Sequence, residues 1–254
     1  MDGTLYLGDT LFDFTKELLS EIKKQSKRYL FMTNNSSKSV DAYIEKLKKL
    51  GIDAEYDDFI TSSQVTAAYL KENHKNAKLY VCGTASFKDE LKENGFTVTE
   101  NIDEVDVIVL GFDTELTFKK LEDACILLNR GVDYIATNPD WVCPTWYGSV
   151  PDCGSISQIL KTATGREPYF IGKPRPEMIY LAMEKTGFSA YQTVIIGDRL
   201  YTDIASGANA GISSLFVLSG EGTIEDLEKS DIKPTYIFEN IRKLCTELIS
   251  CSIN

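Results

Sequence analysis

Alternation is the feature that most constrains this chain. Short apolar runs of strand length give way to helical patterns along the whole of its 254 residues. "RYLFMTNN", "DFITSS", "KLYVCG", "VDVIVLGFD", "DYIATN", "TVIIGD", "SSLFVLS" and "PTYIFEN" read as strands. Apolar strands between helices belong to sheets covered on both faces, so the expected class is α/β with largely parallel sheets. The helical segments show the complementary period. Leu11, Phe14, Leu18 and Ile22 recur at helical spacing with Thr10 as the cap. Val40, Tyr43, Ile44 and Leu47 do the same, ended by Gly51 where a left-handed C-cap is needed. "DFITSS" hands over to a helix at a serine cap, and Pro176 suits the first turn of "RPEMIYLAMEKTG". The length suits one or two domains. No linker or repeat interrupts the pattern, so two domains imply one inserted into the other.

Composition removes several function classes. The net charge of −11 argues against a nucleic-acid or anionic-membrane surface, which needs a basic patch. It leaves room for a phosphorylated substrate, because one lysine, a metal ion and oriented N–H groups make a local positive site. No apolar run has the length of a membrane span and no signal-peptide pattern is seen, so a cytoplasmic location is expected. The six cysteines are scattered without a C-x-x-C pair and are expected as reduced thiols. His74, in "KENHKN", is the only histidine and reads as a solvated surface residue. That removes Ser-His-Asp and Cys-His mechanisms. No strand is followed by G-x-G-x-x-G or a Walker A loop, which removes dinucleotide-dependent oxidoreductases.

Four segments share one design, an apolar strand running into polar residues. They are "MDGT" at Asp2, "LFMTNNSS" at Thr33, Asn34 and Asn35, "YFIGKPRPE" at Lys173, and "TVIIGDRLYTD" at Gly197, Asp198 and Asp203. Ligands of open α/β sheets collect at such carboxyl ends. Asp2 and Asp198 are hard oxygen donors suited to Mg²⁺. Thr33, nearby backbone N–H groups and Lys173 are donors for an anion. Asp203, five residues after Asp198, is placed to pair with Lys173 and keep it charged. A divalent metal, carboxylates, one lysine and a hydroxyl are what phosphoryl transfer asks for.

In order and spacing, D-G-T-L at 2–5, Thr33, Lys173, and Asp198 with Asp203 resemble the four motifs of the haloacid dehalogenase (HAD) superfamily of phosphohydrolases. Thr33 and Lys173 stand 140 positions apart, which resembles the branch with a large α/β cap inserted there. "TNNSS", "GKPRPE" and "ATNPD" at 136–140 are similar to the NagD-type, nitrophenyl-phosphatase-like members (subclass IIA). The resemblance implies a Rossmann-like doubly wound core at 1–77 and 168–254, with an α/β cap at 78–167. It implies a Mg²⁺-dependent phosphatase acting on a small metabolite through an aspartyl-phosphate. The substrate classes of that branch are sugar phosphates, phosphoglycolate, nucleotides and pyridoxal phosphate.

Carried over by residue, Asp2 is the general acid/base whose carbonyl touches Mg²⁺, turned away by Gly3. Thr33 and Asn34, with Asn35 beside them, hold the phosphoryl group. Lys173 neutralises it, Asp198 next to Gly197 binds Mg²⁺, and Asp203 supports Lys173. In the cap, Asn138 and Asp140 are expected either to bind substrate or to hold their own loop. Trp141, Trp146 and Tyr147 are expected to stack on a flat substrate, to pack within the cap, or to form a cap–cap homodimer. Asp152 in "VPDCGSI" stands where the family usually has Gly, and a left-handed turn is expected there.

One motif residue is missing. The family's nucleophile is the first aspartate of D-x-D, and here Met1 occupies the x. The strand that would carry it is missing too, and a doubly wound sheet without a central strand leaves backbone groups unpaired on two neighbours. A truncated form lacking roughly 8–12 residues is therefore expected. The alternative is a non-catalytic phosphometabolite-binding protein. The DNA ahead of the Met1 codon separates them. An in-frame apolar run ending in Asp is the expected result, and its absence favours the binding protein.

Overall fold

The two periods in the sequence become helices and parallel strands in a computed structural model that describes residues 1–145 and 147–251. The chain opens with β1 (Tyr6–Leu7), β2 (Thr10–Leu11), α1 (Thr15–Lys24), β3 (Phe31–Thr33), α2 (Val40–Lys49), β4 (Phe59–Thr61) and α3 (Ser62–Asn73). Its middle holds β5 (Lys78–Cys82), α4 (Ala85–Glu93), β6 (Thr97–Val98), β7 (Val107–Leu110), α5 (Phe118–Asn129) and β8 (Asp133–Ala136). Then come β9 (Val142–Thr145), β10 (Gly148–Pro151), α6 (Cys153–Thr164) and β11 (Tyr169–Phe170). The last stretch has α7 (Glu177–Thr186), β12 (Val194–Gly197), α8 (Ala205–Ala210), β13 (Ser213–Val217), α9 (Ile224–Lys229), β14 (Tyr236–Phe238) and α10 (Ile241–Cys251).

These elements form two compact units, one of 1–32, 44–60 and 173–254, the other of 33–43 and 61–172. In the first unit β12, β13 and β14 form a parallel sheet, with Ile196 opposite Leu215 and Phe216 opposite Ile237. β3 pairs with β4, and β1 with β2 in an antiparallel hairpin. Its apolar residues form separate clusters. Leu18, Val217, Ile241 and Leu244 make one, and Ile179, Ile195 and Ile212 another. Neighbours Ile195 and Ile196 belong to different clusters, as strand alternation requires.

The second unit is built on five parallel strands in the order β11-β8-β7-β5-β6. β7 is central and buried at all four positions. Its Ile108 and Leu110 pack with Leu127 of α5 and Ile156 and Leu160 of α6. This unit reaches beyond the 78–167 expected for a cap, because the loop after β3 and helix α3 bond into it. The Thr84 hydroxyl donates to the Ser37 carbonyl, and the Phe112 N–H donates to the Ser36 hydroxyl.

Several local expectations are corrected. Thr10 does not cap α1. It pairs with Leu7 in the hairpin, and the N-cap is Phe14 in a left-handed conformation. The cap of α3 is Thr61 and not a serine. Its hydroxyl accepts from Gln64 N–H, and the Gln64 side chain accepts from Thr61 N–H, a reciprocal box. Pro176 is itself the N-cap of α7. Asp152 is extended (φ −103°) and caps α6, so no left-handed turn is needed. His74 is partly buried, with its Nδ1 3.8 Å from the Asp133 carboxylate. Trp146 lies outside the described residues.

Ile108 is fully buried in the central strand, so its removal leaves a cavity the sheet cannot close. Ile108→Ala is expected to cost about 2–5 kcal/mol and Ile108→Val about 0.5–1.5, read as shifts in the urea unfolding midpoint.

Candidate active site

Asp2, Gly3 and Thr4 sit in a tight turn made by the chain itself. Leu5 N–H donates to the Met1 carbonyl at 2.9 Å, and Gly3 N–H donates to the Tyr6 carbonyl at 2.8 Å. Gly3 has φ +75°, and a Cβ there would fall on the Asp198 carboxylate. Gly220 flanks the same carboxylate equally closely. Two glycines thus let Asp198, at the end of β12, enter the turn. Thr4 Oγ1 donates to Asp198 Oδ1 at 3.0 Å, and Glu221 N–H donates to Oδ2 at 3.0 Å. Ser219 Oγ donates to the Gly3 carbonyl at 2.8 Å, tying the β13 exit to the turn. Asp198 is 5 % exposed. Burial, and then the charge of Asp203, push its carboxyl above the usual range.

Lys173 and Asp203 are also buried, and Lys173 Nζ lies 2.6 Å from Asp203 Oδ1. Asp203 sits in a single π-helical turn, Leu200–Ile204, where its Oδ2 accepts from Arg199 N–H at 3.2 Å. Gly197 leaves room for this side chain, since a Cβ there would meet it. Burial alone would raise the Asp203 carboxyl, but the Lys173 ammonium outweighs it and holds the group below the usual carboxylate range. Asp2 is more open. Its Oδ2 is 4.0 Å from Lys46 Nζ, and that ammonium stands 4.2 Å from the centre of the Tyr6 ring.

The other sequence-expected residues belong to the second unit and form a network of mostly uncharged groups. Thr33 Oγ1 accepts from Asn35 N–H at 3.2 Å. Asn34 Nδ2 donates to Asp140 Oδ1 at 3.0 Å. The Asn34 carbonyl accepts from Asn138 Nδ2 at 2.8 Å and from Ser62 Oγ. Asn35 Oδ1 accepts from Ser37 N–H and Oγ. Asn138 Oδ1 in turn accepts from Asp140 N–H at 2.9 Å. Asn34, Asn138 and Asp140 are all buried. Asn138 and Asp140 thus bond to the Thr33–Asn35 loop, a contact beyond the two roles expected for them. Trp141 and Tyr147 are exposed.

Sequence reasoning named Thr4, Gly220, Glu221, Ser36, Ser62 and Thr137 for none of the contacts they make here. Thr4 stood inside a quoted motif, but its contact with Asp198 spans 194 positions and has no local signal. Ser36 and Thr137, 2.9 Å apart, are similarly distant in sequence. Among the described residues no group of three or more His, Cys, Asp or Glu forms a metal cage. The carboxylates Asp198 and Asp2 match Mg²⁺, which takes one or two carboxylates and fills its remaining positions with water and phosphate.

The comparisons with known proteins follow the motifs. Residues 1–97 match the haloacid dehalogenase-like hydrolase family, and residues 170–244 match a HAD-hydrolase-like family. An acid sugar phosphatase of Staphylococcus aureus (strain USA300) is 34% identical over 248 residues, covering 98% of this chain and 95% of that protein. The 4-nitrophenylphosphatase of Thermotoga maritima superposes with a TM-score of 0.91 at 41% identity, covering 97% and 94% of the two chains. A glycerol phosphate phosphatase of Mycobacterium tuberculosis, solved with magnesium, gives 0.89 at 31% identity, covering 96% and 74%.

The depressed Asp203 carboxyl sets a pH dependence. Its stabilisation is complete above the unfolded value of about 3.9 and is lost as pH falls through the lower folded value. The raised Asp198 carboxyl has the opposite sign, favouring the fold in acid and losing that advantage as pH rises above about 3.9. In metal-free buffer, Asp203→Asn is expected to cost about 3–5 kcal/mol at pH 7, because the buried Lys173 ammonium loses its carboxylate partner. The gap from wild type should close below about pH 4 in chemical-denaturation curves taken across pH.

Proposed function

The chain belongs to the haloacid dehalogenase-like hydrolases, in their NagD-like phosphatase branch, and from that premise we propose that it is a Mg²⁺-dependent phosphatase of a small phosphorylated metabolite. The reaction class is hydrolysis of a phosphoric monoester. Relatives named for sugar phosphates, glycerol phosphate and nitrophenyl phosphate favour a sugar or polyol phosphate over phosphoglycolate, nucleotides or pyridoxal phosphate. The observation that carries this reading is the held Asp198 carboxylate, oriented by Thr4 and Glu221 N–H and crowded by Asp203. A buried carboxylate so disposed is suited to a cation.

Asp198 and Asp2 would hold Mg²⁺. When bound, the ion neutralises charge on the transferred phosphoryl group and fixes its orientation. Lys173, kept charged and aimed by Asp203, adds a second positive charge on the phosphate. Thr33 offers a hydroxyl to the phosphoryl oxygens, and the amide network behind it keeps the loop from collapsing. Asp2, the most exposed of these carboxylates, acts as the acid/base that protonates the leaving group and then activates water. The second unit supplies specificity as the cap, with Trp141 and Tyr147 as the aromatic faces and a homodimer contact as their other use. The cysteines named free among the described residues suit a cytoplasmic setting.

The aspartyl-phosphate route needs one more carboxylate. Asp203 is committed to Lys173 and Asp198 to Thr4 and Glu221, so neither is a free nucleophile. Hydrolysis of p-nitrophenyl phosphate should vanish with EDTA and fall about a hundredfold or more in Asp198→Asn. Undiminished hydrolysis in either case defeats the proposal.

A further inference from the structure

Glu221 enters the site through its backbone, and its carboxylate is engaged elsewhere. The loop that carries it, Ser219 to Gly222, follows β13 and is pinned at both ends. Ser219 bonds the Gly3 carbonyl, and Thr223 caps α9 through a reciprocal box with Asp226. The middle of the loop lies along Asp198. Glu221 N–H donates to Asp198 Oδ2 at 3.0 Å, and Gly222 N–H donates to the Asp198 carbonyl at 2.9 Å. A Cβ at Gly220 would fall on the Asp198 carboxylate, and one at Gly222 would crowd the Asp198 carbonyl and the Phe216 ring. Close approach therefore selects glycine at both positions, and glycine leaves the backbone around Glu221 free to turn. Within 220–222, Glu221 is the one residue with a side chain to hold that backbone. Its Oε2 lies 2.8 Å from Arg199 Nε, and its Oε1 accepts from the Tyr201 hydroxyl at 3.2 Å. Arg199 directly follows Asp198, and its own N–H donates to Asp203 Oδ2 at 3.2 Å. One residue thus ties the loop over Asp198 to the carboxylate that aims Lys173.

We propose that Arg199, assisted by Tyr201, is a positioning residue for the cation site: it anchors the Glu221 carboxylate and so keeps the Glu221 N–H on Asp198 Oδ2. The inference rests on the reading of Asp198 as a Mg²⁺ ligand. Each carboxylate oxygen has two lone-pair directions. On Asp198, the Thr4 hydroxyl takes one at Oδ1 and the Glu221 N–H takes one at Oδ2. What remains points in a direction set by those two donors, and Mg²⁺ demands near-octahedral geometry of its ligands. Thr4 sits in a turn closed by its own backbone bonds. Glu221 sits between glycines, so its donor needs the outside tie. The Glu221 side chain is 40 % exposed, and an ion pair that open adds little to stability. Its use is direction. Groups that orient a metal ligand from behind are worth roughly 10–100-fold in metal affinity.

The test reads Mg²⁺ binding and needs no turnover. The Mg²⁺ concentration giving half of the thermal stabilisation is measured, with the metal-free Tm beside it. Arg199→Gln should raise that concentration about tenfold and lower the metal-free Tm by no more than about 2 °C. Arg199→Lys keeps the charge without the planar fork and should recover part of the loss. Tyr201→Phe should cost about threefold. Glu221→Gln removes the ion pair with almost no change of shape and should move the Mg²⁺ response in the same direction, which keeps the test open if Arg199→Gln fails to fold. Adding Arg199→Gln to Glu221→Gln should change little further, since both break one tie. An unchanged Mg²⁺ response in Arg199→Gln and Glu221→Gln overturns the proposal, whatever the metal-free Tm does. A tighter response overturns it as well, because Glu221 then binds the ion in its own right. Asp198→Asn separates the inference from the reading beneath it, and should abolish the Mg²⁺ response. If the response survives in Asp198→Asn, or is absent from the wild-type chain, both fall. If it is lost in Asp198→Asn and unchanged in the Arg199 and Glu221 variants, the inference alone falls.

Discussion

A buried ion pair has to be matched on every side, and Lys173 with Asp203 imposes that condition on the first unit. An ammonium and a carboxylate taken out of water lose several kcal/mol of hydration each, and only close partners restore it. The π-helical turn puts Asp203 under Lys173, and Arg199 N–H takes its second oxygen. Gly197 leaves the space. Once that pair is set, Asp198 becomes a second buried carboxylate beside a first, and Thr4 and Glu221 N–H are what hold it. The order of dependence runs from charge burial to backbone geometry to the placement of a second buried carboxylate.

The second unit meets a different demand with different chemistry. Its loop after β3 is anchored largely by amides and hydroxyls, with Asn34 at the centre: Asp140 on its side chain, Asn138 and Ser62 on its carbonyl. Such groups cost less to bury than ions and give direction through their fixed donors and acceptors. A loop built this way keeps its shape largely through uncharged groups.

Much of this was legible from strand ends. An apolar run that stops at T-N-N, G-K or G-D announces a carboxyl-end loop, and Asp203 was placed opposite Lys173 by spacing and charge alone. What stayed hidden was whatever depends on contact across the chain. Nothing near Thr4 points to Asp198, and nothing near Asn34 chooses between Asp140 as substrate ligand and Asp140 as brace. The helix starts were misjudged for a local reason. Thr10 has the chemistry of a cap, but a hairpin claimed it first, and Thr61 outcompeted the serines after it because Gln64 stood at the reciprocal position. The reach of the second unit beyond 78–167 was invisible because it follows from hydroxyl contacts of Ser36, Ser37 and Ser62, residues that read locally as loop.

Gly3 and Gly220 carry a consequence for how such a site can vary. Both press against the Asp198 carboxylate where even a methyl group would displace it. The position of the key oxygen atoms is therefore specified by two absences, and almost any single-base change at either codon adds atoms where there is no room. Thr4 and Ser219 are hydroxyls whose work another polar residue can share, so they have neighbours in sequence space. The two glycines have none. Substitution at either wall would move those oxygens, whatever else the chain kept.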